Sequence, residues 1–237
     1  MLPTLGTYFG ISFYTYPLMM GLAWGFAYQM GRYVLEKSLS PLMWNIFFGG
    51  VFLSAWFGAK ILFLLTSHHE EFLTRPNFWL GGGFVFYGGL IAALFFISLF
   101  CFFYKKFNWL YLAYLVPVLM FAHALGRVGC FLAGCCYGVG SSFLHDRHPV
   151  QLYEAVSLVV LAYFFYRLLR KKGNEILVFA LYFISYGTIR FALEFLRDDK
   201  IRGFVGLFST SQIVSLCFVI PAFFLLRIFI RRKNYEL

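Results

Sequence analysis

The sequence predicts an all-α polytopic membrane protein with about seven transmembrane helices, its N-terminus outside and its C-terminus cytoplasmic. Three observations lead there. Apolar residues make up 61% of the 237, charged residues only 13%, and the mean hydropathy is +0.76. A soluble domain is nearer half apolar and a quarter charged, so lipid must be the solvent for much of this surface. Apolar runs of about 20 residues, enough to cross roughly 30 Å of hydrocarbon, recur along the chain. The basic residues fall in alternate short loops, which orients the spans. By length the chain is one domain over 1–237, with small extracytoplasmic segments near 67–83, 126–148 and 196–207.

The expected spans are Ser12 to Gly31, Pro41 to Ser67, Phe84 to Tyr104, Trp109 to Leu125, Pro149 to Tyr166, Ile176 to Phe195 and Phe208 to Ile230. The second carries an awkward Lys60. Plain basic clusters at Arg32/Lys37, Lys105/Lys106, Arg170/Lys171/Lys172 and Arg231/Arg232/Lys233 mark the cytoplasmic side. The opposite side mixes signs at His68-His69-Glu70-Glu71, from Arg127 to His148, and at Arg197-Asp198-Asp199-Lys200. The clusters explain most of the +10 net charge. Binding to anionic headgroups accounts for them, so no nucleic acid partner is implied. The first residues lack a basic n-region, so no cleavable signal peptide is expected.

The segments that carry chemistry lie toward the outer ends of these spans. FVFYGGL starts the third span; Tyr87 is either an interface tyrosine or a hydroxyl projected into a cavity that Gly88 and Gly89 make room for. HALGRVGC ends the fourth, with Arg127 between Gly126 and Gly129. Glycines let backbone amides leave helical geometry and cup an anion beside the guanidinium. The alternative is an interfacial arginine with glycines serving close helix packing. His148-Pro149 opens the fifth span, since proline suits the first helical turn. Gln151 and Glu154 then share one face with Tyr153 beside them, as a polar interface cap or with His148 or Glu154 in proton transfer. In the sixth span Tyr186, Arg190, Glu194 and Arg197 form one polar stripe. Intramembrane charges face a cavity, a partner or water. The stripe is either an Arg190–Glu194 staple or an anion pocket, for which an arginine fork suits phosphate. Arg127 and Arg190 together point to a phosphate-bearing ligand.

Cys130, Cys135 and Cys136 gather near His123, His145 and His148 in sequence. No CxxC pairing is present and vicinal cysteines fit tetrahedral geometry poorly, so no metal ligand is expected. A disulfide within the cluster requires an oxidising compartment. Cys101 and Cys217 read as small core residues.

GRVGCFLAGCCYG, HPVQLYE, FYGGLIA and YGTIRFALEFLR resemble, in order and over most of the chain, the motifs of bacterial prolipoprotein diacylglyceryl transferases. The resemblance implies seven membrane helices with an outside N-terminus in the bacterial inner membrane. It implies transfer of diacylglycerol from phosphatidylglycerol to the lipobox cysteine of a pre-lipoprotein signal peptide, with a thioether formed and glycerol phosphate released. No metal or organic cofactor is implied. Arg127 falls on the arginine of the family's GRxGN signature and Gly138 on the signature's last glycine. Arg190, Tyr186 and Glu194 match the family's YGxxR element and the glutamate after it. Tyr87 stands where the well-studied form has a histidine, Cys130 where it has asparagine, and Cys135 where it has glutamate. The base is then His148, with Glu154 or Glu194 next. A non-catalytic protein that binds or transports an anionic lipid or small anion, or a same-fold lipid transferase with another acceptor, would use the same arginines.

Overall fold

The structure is a computed structural model and describes residues 3–9, 11–66, 83–140, 147–171, 173–198 and 204–235. Of the expected outer segments, 67–83 falls almost wholly outside the described residues and 126–148 and 196–207 only in part; His68, His69, Glu70, Glu71, His145, Lys172, Asp199 and Lys200 also lie outside them. Two compact units form: Met1–Val34 with Leu110–Leu237, and Leu35–Trp109.

In the first unit a hairpin of β1 (Thr4–Tyr8) and β2 (Ile11–Tyr14) precedes α1 (Thr15–Leu35). A 3-10 turn over Trp109–Tyr114 leads into α4 (Leu115–Ala133), followed by α5 (Val150–Leu169) and α6 (Glu175–Glu194). A short pair, β3 (Phe204–Val205) and β4 (Phe208–Ser209), then leads to α7 (Thr210–Cys217) and α8 (Val219–Tyr235). The second unit is the helix pair α2 (Pro41–Thr66) and α3 (Phe86–Phe103) with its flanking turns.

Among the described residues six helical segments are long and apolar enough to cross a membrane, so the protein is multi-pass. They match the second to seventh expected spans. The first expected span is the 21-residue α1, but its tyrosines, Gln29 and Arg32 keep its hydropathy below that of the six.

Three boundaries differ from expectation, for local reasons. The fourth helix begins at Leu115 because Pro117 fits only its first turn, and it runs past Leu125 to Ala133. Gly134, at φ 79°, ends it in the left-handed conformation that glycine adopts freely. The seventh span breaks at Phe218, since Pro221 has no N–H to give the Cys217 carbonyl. The two hairpins, short and antiparallel, are not expected from the sequence.

The core of the first unit lies where α4, α5 and α6 meet. Val116, Met120 and Ala124 face Ala155, Leu158, Ala162 and Phe165 at helical spacing, with Val178 behind them. In the second unit α2 and α3 approach backbone to backbone. A Cβ on Gly58 would run into the Gly88 carbonyl oxygen, a Cβ on Gly88 into that of Gly58, and one on Gly89 would sit 2.8 Å from the Ala55 carbonyl oxygen. Such small-residue contacts are how helices associate in lipid, where no hydrophobic force drives them together. Gly58→Val is therefore expected to separate the pair and to lower the thermal midpoint of the purified protein in detergent. The α2 lysine is fully buried with its Nζ 4.2 Å from the centroid of the Phe84 ring, a cation–π seat for Lys60.

Ser209 starts α7 with a capping box: its hydroxyl accepts from the Gln212 N–H at 3.2 Å, and the Gln212 side chain accepts from the Ser209 N–H at 2.9 Å. Ser209→Ala should cost about 1 kcal/mol, read as a lower denaturation midpoint with activity per folded molecule unchanged.

Candidate active site

The buried face of α5 is apolar for most of its length: Leu158, Ala162, Phe165 and Leu169 follow one another at intervals of three and four. In the first turns the same face carries Gln151 and Glu154, each only 1% exposed. A carboxylate that deep requires a charged or hydrogen-bonding partner. It has Arg127, one helix away on α4, with Nε 3.0 Å from Glu154 Oε2. His123, one turn before Arg127 on α4, brings its Nε2 to 3.7 Å from Glu154 Oε1. One buried carboxylate thus bridges two cationic or protonatable groups of the neighbouring helix.

Arg190 comes to the same region from α6. Its Nη2 lies 3.1 Å from Glu194 Oε2 and donates to Ser211 Oγ at 3.2 Å, so the staple expected from spacing does form. Arg190 Nη1 is buried without a hydrogen-bond partner among the described residues. Both guanidinium groups and Glu154 act electrostatically on His123 and on Tyr186. Tyr186 stacks on Tyr182 at 5.9 Å and lies 5.7 Å from the His123 ring. Arg127, Glu154, Tyr186 and Arg190 therefore share one buried polar neighbourhood at the end of the α4–α5–α6 core.

The remaining expected residues are placed differently. Helix α6 stops at Glu194, so Arg197 lies beyond the stripe and pairs backbone to backbone with Gly138. Gly138 donates its N–H to the His148 carbonyl at 2.9 Å, and His148 donates its own to Val139 at 3.1 Å. His148 Nδ1 and the Tyr153 hydroxyl are 3.3 Å apart. These residues form a strap tying the end of α6 to the start of α5. Of the two readings of Gly126 and Gly129, the fold takes close packing and not the amide cup: both lie inside α4, and a Cβ on Gly129 would come 2.8 Å from Met19 Cβ of α1. The glycines serve close packing because α4 continues a further two turns. Tyr87, Gly88 and Gly89 stand at the start of α3 in the second unit, with the two glycines buried against α2.

Past the α4 terminus the chain turns back on itself at Gly134 and again at Cys136, a non-glycine at φ 65°. Gln151 Nε2 donates to the Cys135 carbonyl and pins the turn to α5. The thiols of Cys130, Cys135 and Cys136 all lie within 4.8 Å of one another, and no disulfide joins them. Burial and the neighbouring Cys136 push the Cys135 thiol above its ordinary range.

Sequence reasoning placed His123 only beside the cysteines, not with Glu154, and did not single out Ser211. The His123–Arg127 spacing of four was the available signal for the first. Ser211 has none, because its contact with Arg190 crosses between helices.

The profile of the prolipoprotein diacylglyceryl transferases matches residues 3–228. The chain belongs to this family. It is 34% identical to the phosphatidylglycerol–prolipoprotein diacylglyceryl transferase of Clostridium tetani, over 99% of this chain and the whole of that one. It is 33% identical to the second such enzyme of Clostridium perfringens, over 94% of each chain. The Campylobacter curvus enzyme of the same name is 32% identical over 98% of this chain and 95% of its own. This diacylglyceryl transferase thus covers its relatives nearly end to end, and its polar cluster falls within the matched region.

Proposed function

We propose that the protein transfers the diacylglyceryl group of phosphatidylglycerol to the lipobox cysteine thiol of a pre-lipoprotein signal peptide, forming a thioether and releasing glycerol phosphate. One observation carries the reading: in a member of this family, Arg127 and Arg190 reach one buried polar neighbourhood from separate helices. The headgroup phosphate is received between them. Arg190 Nη1 offers a buried donor, and a guanidinium fork binds phosphate oxygens bidentately. As the C–O bond to phosphate breaks, charge grows on the leaving oxygen, and preorganised cations there favour the transition state over the ground state. Glu154 and Glu194 hold the two guanidiniums in place when no lipid is bound. An apolar cleft lined by Phe183, Ile184, Phe191, Leu216 and Val219 runs beside α6 and suits an acyl chain.

His148, beside Tyr153 on the strap, is the proton acceptor for the acceptor thiol. Gln151 and Tyr153 with Gly126, Gly129, Gly138 and Arg197 shape the surroundings. The membrane is the bacterial cytoplasmic membrane, crossed seven times, with α1 as the first span and the basic C-terminal tail inside. Purified protein in phosphatidylglycerol vesicles should convert a lipobox peptide to its thioether and release glycerol phosphate, with no product when the lipobox cysteine is replaced by serine. Retention of lipid without any product would instead make it a lipid-binding protein, and transfer to the serine peptide a transferase with another acceptor.

A further inference from the structure

The spacing of Cys130, Cys135 and Cys136 argues against a tetrahedral metal site, yet the fold removes that objection. The two left-handed turns at Gly134 and Cys136 fold the loop over the end of α4, so thiols without CxxC spacing converge. The Cys135 and Cys136 sulfurs are 3.7 Å apart. Metal–thiolate bonds of about 2.3 Å in a tetrahedron require sulfurs about 3.8 Å apart. Cys130 shares a side-chain hydrogen bond with Cys136, so each of the three sulfurs has another beside it. Cys136 holds a positive φ, a conformation that is costly for a non-glycine residue and persists where surrounding structure or function demands it. Gln151, itself buried, fastens the loop through the Cys135 carbonyl, so its hold uses no thiol. Cys135 is exposed.

We propose that Cys130, Cys135 and Cys136 form a site for one thiophilic divalent metal ion of the zinc class, with its fourth position open to the acceptor cysteine. Soft thiolate ligands select such ions, and three protein ligands with an open position are the pattern of catalytic rather than structural zinc. Among the described residues no histidine or carboxylate joins the three thiols. The two ligand residues outside α4 lie in the loop that Gln151 holds to α5, and Arg127, one turn from Cys130, acts electrostatically on Cys130 and Cys135. The site therefore adjoins the arginine that receives the phosphate.

The inference rests on the transferase reading for its role. A thiol entering the fourth position displaces a water and gives its proton to His148, the acceptor assigned above, since a coordinating thiol is deprotonated outright. The bound thiolate sulfur then forms a bond to the glyceryl CH2 while that carbon's bond to the phosphate oxygen breaks. The electron pair leaves on glycerol phosphate, and the thioether, a neutral and weaker ligand, departs from the metal. No oxidant or reductant is required.

The test uses the full chain in detergent, reduced, stripped with chelator and reloaded with Co2+. Tetrahedral thiolate coordination has an intense sulfur-to-cobalt charge-transfer absorption and visible ligand-field bands. These are expected at about one cobalt per chain, competed away by Zn2+ and lost in Cys130→Ser, Cys135→Ser and Cys136→Ser. A lipobox peptide should shift the ligand-field bands, and its cysteine-to-serine version should leave them unchanged. Absence of thiolate bands with all three thiols alkylated equally fast with and without Zn2+ overturns the site. Bands indifferent to the cysteine peptide overturn the open fourth position. Both readouts are independent of turnover, so a protein that binds cobalt through these thiols but makes no thioether would sink the transferase reading and leave the metal site standing.

Discussion

Arg127→Ala is expected to lower thioether formation by about 10²–10³-fold, the loss seen when one preorganised donor is removed from a developing oxyanion. Arg127 is 16% exposed, and its Nε meets a carboxylate that is 1% exposed, so little water is at hand to replace the guanidinium. The alanine variant also strips Glu154 of its partner, which mixes a folding defect into the kinetic one. Arg127→Lys separates them: it keeps the charge opposite Glu154 and the fold, but lacks the planar fork and should still lose most of the rate. Arg190→Ala should behave alike, with Ser211 and Glu194 left without its guanidinium. The measurement is thioether product per folded molecule at saturating lipid. Full activity in both alanine variants would remove the arginines from the mechanism.

Glu154→Ala should be the most damaging single change to stability. It leaves the mostly buried Arg127 charge uncompensated in the α4–α5 interface, which for a buried ion pair costs about 3–5 kcal/mol. The thermal midpoint in detergent should fall further for Glu154→Ala than for the double variant Arg127→Ala/Glu154→Ala, in which no orphaned charge remains. The cycle isolates the pair because each single variant breaks the same contact. Equal midpoints for the single and double variants would mean that Glu154 does not hold Arg127.

The helices were legible because each is set by the composition of its own stretch. Apolar runs from Pro41, Phe84, Pro149 and Ile176 reappear as α2, α3, α5 and α6 within a few residues. The Arg190–Glu194 pair was legible too, since a spacing of four places both side chains on one helix face wherever the helix packs. The same logic failed at Arg197, where the helix had already ended; at Gly126 and Gly129 it left two readings open, and packing against α1 decided between them.

By itself, then, the amino-acid sequence determined the apolar helices, the family, and the two arginines with their place on separate helices, because hydropathy, motif and helical periodicity are properties of one stretch at a time. Tertiary structure alone decided that Glu154 bridges Arg127 and His123, that Ser211 meets Arg190, and that three unevenly spaced cysteines converge. Those contacts depend on how each helix is rotated toward its neighbour and on two left-handed residues in one loop. Rotation is set by the packing of Ala124, Ala155, Leu158 and Ala162 across the α4–α5 interface, a relation between distant stretches that no single stretch contains.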